Sequence, residues 1–147
     1  MKSQGYRVVY DFPYSYNTTS IELMSIKTQC SDETILCAGG AGKLSDNLEL
    51  VSCGNCLEVL TSTLINTPNF VNGAYWYLTD GKSFGFSPQS SIKQNNPDVF
   101  DCTGTPYVDK CNDEKRLSWY LSGIGGYRLG IKINLFNDSY RKLIFLS

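Results

Sequence analysis

Short apolar runs, many of them alternating with polar residues, follow one another along this chain and are broken at close intervals by turn-forming residues. Strand-like patterning covers 6–12, 21–28, 48–52, 57–61, 74–79, 83–87, 117–122, 127–133 and 141–146, where period-two alternation or β-branched and aromatic residues dominate. No stretch of eleven or more residues carries the i, i+3, i+4, i+7 stripe of an amphipathic helix, and 13 Gly and 5 Pro punctuate the rest. The pattern predicts an all-β fold of about nine or ten strands, a two-layer antiparallel sandwich or a jelly-roll-like arrangement.

Two hairpins stand out. Thr79-Asp80-Gly81-Lys82 sets Asp-Gly between two strand-like runs, a strong short-range turn signal. A second turn is expected at Gly123-Ile124-Gly125-Gly126, and Trp76-Tyr77-Leu78-Thr79 resembles Trp119-Tyr120-Leu121-Ser122. Alternation places Trp76 and Leu78 on one side of their strand with Tyr75 and Tyr77 on the other, and sets Trp119 and Leu121 against Tyr120. Both Trp are expected in the core. Tyr75, Tyr77, Tyr120 and Tyr127 are the surface candidates, with ring faces that suit stacking on sugars.

A chain of 147 residues fits one domain, which at that size buries about 68–70% of its unfolded surface. Thirteen Lys and Arg against fourteen Asp and Glu leave a net charge of -1, without the basic stripe that phosphate neutralisation requires, so nucleic acid is not the expected partner. No apolar run approaches the roughly 20 residues of a bilayer-spanning helix, and membrane insertion is not expected. The first residues lead into a β-like segment without the apolar stretch of a secretory leader, so any leader is expected to have been removed or to lie outside this sequence.

Six cysteines fall in three sequence-close pairs, a usage that points to disulfides of an oxidising compartment and hence to a secreted, extracellular protein. Nearest-neighbour pairing, Cys30 with Cys37, Cys53 with Cys56 and Cys102 with Cys111, is the simplest expectation, each bridge stapling a short loop. A zinc site at Cys53-Gly54-Asn55-Cys56 would need two more ligands at motif spacing, and the chain has no second C-x-x-C and no His. A redox C-x-x-C would need a βαβ setting that the pattern lacks.

Asn17-Thr18-Thr19 and Asn137-Asp138-Ser139 are N-x-S/T sequons in turn-like polar segments and become candidate N-glycan sites in a secreted chain. Asp98, Asp101, Asp109, Asp113 and Glu114 gather around the Cys102 to Cys111 loop. Such oxygens suit Ca²⁺, but no EF-hand pattern appears and Lys110, Lys115 and Arg116 offset the charge, so a solvated loop is the expectation and no metal is assigned. Without His, the usual base of Ser and Cys triads is missing, and no carboxylate pair is singled out. Gly39-Gly40-Ala41-Gly42-Lys43 lacks phosphate-loop spacing and reads as a flexible turn after Cys37. No catalytic residue and no cofactor are expected.

Leu36-Cys37-Ala38-Gly39-Gly40, the run from Asn66-Thr67-Pro68-Asn69-Phe70 to Ala74-Tyr75-Trp76-Tyr77, Ser83-Phe84-Gly85-Phe86-Ser87-Pro88, Arg116-Leu117-Ser118-Trp119, Gly125-Gly126-Tyr127-Arg128-Leu129-Gly130 and Tyr140-Arg141-Lys142 together resemble a family of secreted, Cys-containing β-sandwich domains from small aquatic eukaryotes. The resemblance spans roughly 35–145. It implies a β-sandwich and a secreted setting, and it carries no activity and no catalytic residue. His often stands in that family where this chain has Tyr120, so no shared catalytic role is implied there.

The segment before it divides the chain into 1–20, an N-terminal strand with a tether, and 21–147, a single β-sandwich domain. Tyr6, Val8, Tyr10 and Phe12 are read as one apolar face of that strand. Such a strand can pair at home or add to the open sheet edge of a neighbour, and head-to-tail exchange gives filaments unless its rotation closes. The expected task is that of a non-enzymatic structural protomer of an extracellular, glycosylated fibre or coat, a homo-oligomer or homopolymer with 6–12 as the donated strand. The alternative is a lectin-like carbohydrate-binding module.

Overall fold

Residues 5–92, 94 and 114–147 are described by a computed structural model. In chain order they form β1 (Arg7–Pro13), α1 (Ser20–Lys27), β2 (Ile35–Gly42), β3 (Leu48–Asn55), α2 (Cys56–Val59), β4 (Asn69–Val71), β5 (Ala74–Thr79), β6 (Ser83–Ser87), β7 (Leu117–Tyr120), β8 (Tyr127–Leu129) and β9 (Tyr140–Leu146). One sheet runs β1-β9-β2-β3 and the other β4-β5-β6-β7-β8, antiparallel throughout. The all-β expectation holds. The second sheet is a meander in strict chain order, whereas the first joins the N-terminal strand to the C-terminal one.

Leu36 and Ala38 from β2 and Ile144 and Leu146 from β9 share one buried cluster with Trp76, Leu78, Phe84, Phe86, Trp119 and Leu129 of the other sheet. The two sheets therefore face each other in a sandwich-like pair, and both Trp lie in its core as the alternation predicts. Burying side chains of this size is the main favourable term of the fold. The hairpins at Asp80-Gly81 and at 123–126 form between β5 and β6 and between β7 and β8. A further hairpin joins β4 and β5 through Asn72-Gly73, whose φ angles of 49° and 84° are those a two-residue turn of the primed type demands.

Three readings of the pattern are corrected. The run 21–28 is helix α1, not a strand: Thr19 Oγ1 accepts from the Glu22 amide at 3.2 Å while Glu22 Oε1 accepts from the Thr19 amide at 2.9 Å. This capping box satisfies two donors that a helix start leaves open, and Leu23 and Ile26 then bury one face. The run 57–61 falls on α2 and the turn after it, where Asn55 Oδ1 caps the Glu58 amide at 3.1 Å. The glycines at 39–42 form no turn but lie in β2, flanked by β9 and β3. A Cβ on Gly39 would stand 2.4 Å from the Leu50 carbonyl oxygen of β3, a backbone atom that cannot turn aside, so only glycine permits that approach.

Candidate functional site

β2 and β3 place Cys37 directly opposite Cys53, and the two are bridged with Cα atoms 4.0 Å apart. Cys30, just past α1, is bridged to Cys56 at the start of α2, with Cα atoms 5.8 Å apart. This overturns the pairing of Cys30 with Cys37 and Cys53 with Cys56. Its physical reason is the strand status of 39–42: with β2 and β3 as a hairpin, 37 and 53 become cross-strand neighbours, and the outer pair closes around them. Cys102 and Cys111 lie outside the described residues.

The N-terminal strand pairs with β9 of its own chain, from Arg7 opposite Leu146 to Pro13 opposite Arg141. A register shift between Val8 and Tyr10 splits the expected face, because one extra residue reverses every side chain after it. Tyr6 and Val8 pack on the outer cluster of the first sheet with Cys37, Leu143 and Phe145, while Tyr10 and Phe12 join the core between the sheets. The four therefore do not form one face.

The segment after β1 is not a loose tether. Tyr14 is wholly buried; its hydroxyl donates to the Arg128 carbonyl at 3.0 Å and accepts from Trp119 Nε1 at 3.0 Å. Tyr10 donates to Thr18 Oγ1 at 2.8 Å. Lys142 of β9, also wholly buried, donates from Nζ to the Tyr16 carbonyl at 2.7 Å and to Thr18 Oγ1 at 2.9 Å, with the Tyr14 and Trp119 rings at 5.8 and 5.9 Å. Its two protein acceptors match the two N–H groups of a neutral amine. Sequence reading missed Tyr14, Thr18 and Lys142; the signal was the continuation of the Tyr10, Phe12 alternation to Tyr14.

Burial pushes the Lys142 amine down from 10.5 to about 7, against a weaker opposing pull from Glu22. Between these values the unfolded chain binds more protons than the folded one, so stability rises with pH across that window. Burial raises the Tyr10 and Tyr14 hydroxyls above their ordinary range, and these reverse the trend above about pH 10. Chemical denaturation is expected to show greater stability at pH 9 than at pH 7, with a slope up to about 1.4 kcal/mol per pH unit. Lys142→Met removes that slope. Equal pH dependence in both proteins would refute this assignment.

The four candidate stacking tyrosines separate. Tyr77 is wholly buried and donates to the Leu117 carbonyl at 3.0 Å, and Tyr127 is buried as well. Tyr120 is partly covered, its ring 4.1 Å from that of Tyr127. Tyr75 is also partly covered and pairs across the hairpin with Phe70, ring centroids 5.0 Å apart, and Phe70 is 64% exposed. The Asn72-Gly73 turn was the signal that sets Phe70 opposite Tyr75.

Asn17 and Asn137 are both exposed. Glu114 is exposed, whereas Asp98, Asp101, Asp109 and Asp113 lie outside the described residues. Among the described residues no three or more His, Cys, Asp or Glu gather as a metal site. A cleft of about 260 Å³ lies between β3 and the β5–β6 pair, lined among the described residues by Leu50, Val51, Ala74, Phe86 and Pro88 together with the polar Ser52 and Lys115. No helix among the described residues is long and apolar enough to cross a membrane. Comparisons with protein-family models, with curated proteins and with solved structures find no match.

Proposed function

We propose that this chain is a non-catalytic, secreted structural protomer that associates with copies of itself outside the cell. The observation that carries the reading is the outer face of the first sheet. There Cys37, Ala41, Leu143 and Phe145 form a second apolar cluster, edged by partly exposed Tyr6, Val8, Ile35, Leu48 and Cys53. The four central side chains are themselves buried, so the surface on offer is the partly exposed rim of Tyr6, Val8, Ile35 and Leu48 together with exposed Val51; braced by the Cys37 to Cys53 bridge, that apolar rim suits a self-complementary contact. The two disulfides among the described residues fit an oxidising compartment.

Contact through faces agrees better with the fold than donation of β1. A donated β1 would withdraw Tyr10 and Phe12 from the core between the sheets. Light scattering and negative-stain microscopy of the oxidised protein test the reading. Oligomers or filaments are expected, and Val51→Lys, an exposed change on the Cys53 side of β3, is expected to disperse them while the fold persists. A monodisperse monomer at all concentrations would refute self-association.

The Phe70 and Tyr75 pair favours a second reading, a lectin-like module in which these two rings stack on a sugar. Glycan-array binding lost in Phe70→Ala and Tyr75→Ala would support it; no binding to any sugar would remove it.

A further inference from the structure

We propose that Asn17 and Asn137 carry N-linked oligosaccharides side by side at one end of the sandwich, making that end the solvent-facing one in any assembly; the proposal rests on the extracellular reading above. Two backbone contacts bring the sequons together. The Ser15 amide donates to the Asn137 carbonyl at 3.0 Å and the Tyr14 amide to the Tyr140 carbonyl at 2.9 Å. Both Asn thus sit where β1 ends and β9 begins.

Each Asn is held with its amide nitrogen free. Lys142 Nζ straddles Asn17, gripping the Tyr16 carbonyl on one side and Thr18 Oγ1 on the other, so residues 16 and 18 are anchored while 17 faces solvent. Asn137 uses its Oδ1 to accept from the Ser139 amide at 2.9 Å. Neither Nδ2 donates a hydrogen bond among the described residues. An exposed aromatic directly precedes each one: Tyr16 is 37% and Phe136 46% exposed. Their rings offer apolar faces beside the first sugars.

The chemistry is transfer from a lipid-pyrophosphate-linked oligosaccharide. Asn Nδ2 loses a proton and forms a C–N bond to the anomeric carbon, whose bond to the pyrophosphate oxygen breaks as the lipid pyrophosphate leaves. The opposite end of the same strands, where Leu36 and Arg7 flank Leu146 and where the Cys30 to Cys56 bridge lies, stays clear. So does the outer face around Cys37 and Cys53. Glycans at the Asn17 end exclude a head-to-tail contact through it, so copies would meet through the sheet face.

The test is secretion of the full chain from a eukaryotic cell line behind a cleavable leader, with intact mass measured before and after enzymatic removal of N-glycans. Two glycans are expected on the native chain, one on Asn17→Gln or Asn137→Gln, and none on the double variant. A secreted, disulfide-bonded chain that is bare at either Asn would overturn the shared glycan end and leave the extracellular reading standing. A chain retained in the cell with reduced cysteines would overturn both.

Discussion

A chain that begins at Thr19 is expected to have no cooperative fold. Its β9 would lose the partner that runs from Arg7 to Pro13, turning a buried central strand into an open edge of the sheet. The core would lose Tyr10 and Tyr14, and emptying a single large aromatic site costs about 3–5 kcal/mol. Two such losses already match a large part of the about 5–15 kcal/mol by which a domain is stable. Trp119 Nε1 would lose its acceptor and Lys142 Nζ both of its own. Circular dichroism across a thermal ramp gives the answer. A cooperative transition near that of the full chain would show that the first strand and its following segment are dispensable, and would restore strand donation as a route of assembly.

Trp119→Ala is the single substitution with the largest expected cost. This ring sits where the layers meet, within 5.4 Å of Phe84, 5.9 Å of Tyr10 and 6.5 Å of Tyr14, centroid to centroid. Removing it forfeits about 3–5 kcal/mol of packing and transfer free energy, and leaves the Tyr14 hydroxyl without the donor it accepts. Trp119→Phe keeps much of the packing and isolates that hydrogen bond, worth about 1 kcal/mol. Urea titrations with unchanged m-values report both. A cost under about 1 kcal/mol for the alanine variant would mean that the two sheets do not close over this residue.

Strand positions were legible where side chains alternate on a half-buried surface. Ala74–Thr79 and Ser83–Ser87 match to the residue, because Trp76, Leu78, Phe84 and Phe86 mark the inner face unambiguously. What escaped notice had other signatures. The second half of β2 has almost no side chains to announce a strand, since Gly39 and Gly40 lie against Val51 and Leu129, and glycine inside a strand often marks such a close approach. α1 is too short for a periodic stripe, and its signal is local, the Thr19 to Glu22 box. Missing β2 then misdirected the disulfides, because cysteines close in sequence were read as loop staples when a hairpin sets Cys37 against Cys53.

The same lesson applies to the surface. Alternation told which tyrosines leave the inner face of the second sheet, but not that Tyr77 is covered on its outer face. In β1 the register shift after Val8 undid the simple count of Tyr6, Val8, Tyr10 and Phe12. A bulge leaves no mark in composition. Lys142 was invisible for the opposite reason, because a lysine in a strand is ordinarily read as solvent-facing, and only the Tyr16 carbonyl and Thr18 hydroxyl explain its burial.

The bridges join the fold to the proposed setting, since they depend both on the β2–β3 register and on an oxidising environment. Non-reducing peptide mapping of the folded, alkylated protein is therefore the decisive measurement. Peptides linking Cys30 to Cys56 and Cys37 to Cys53 are the expected result. Cys30 linked to Cys37, or alkylated free thiols at these four positions, would contradict the register of the first sheet in the one case and the extracellular reading in the other.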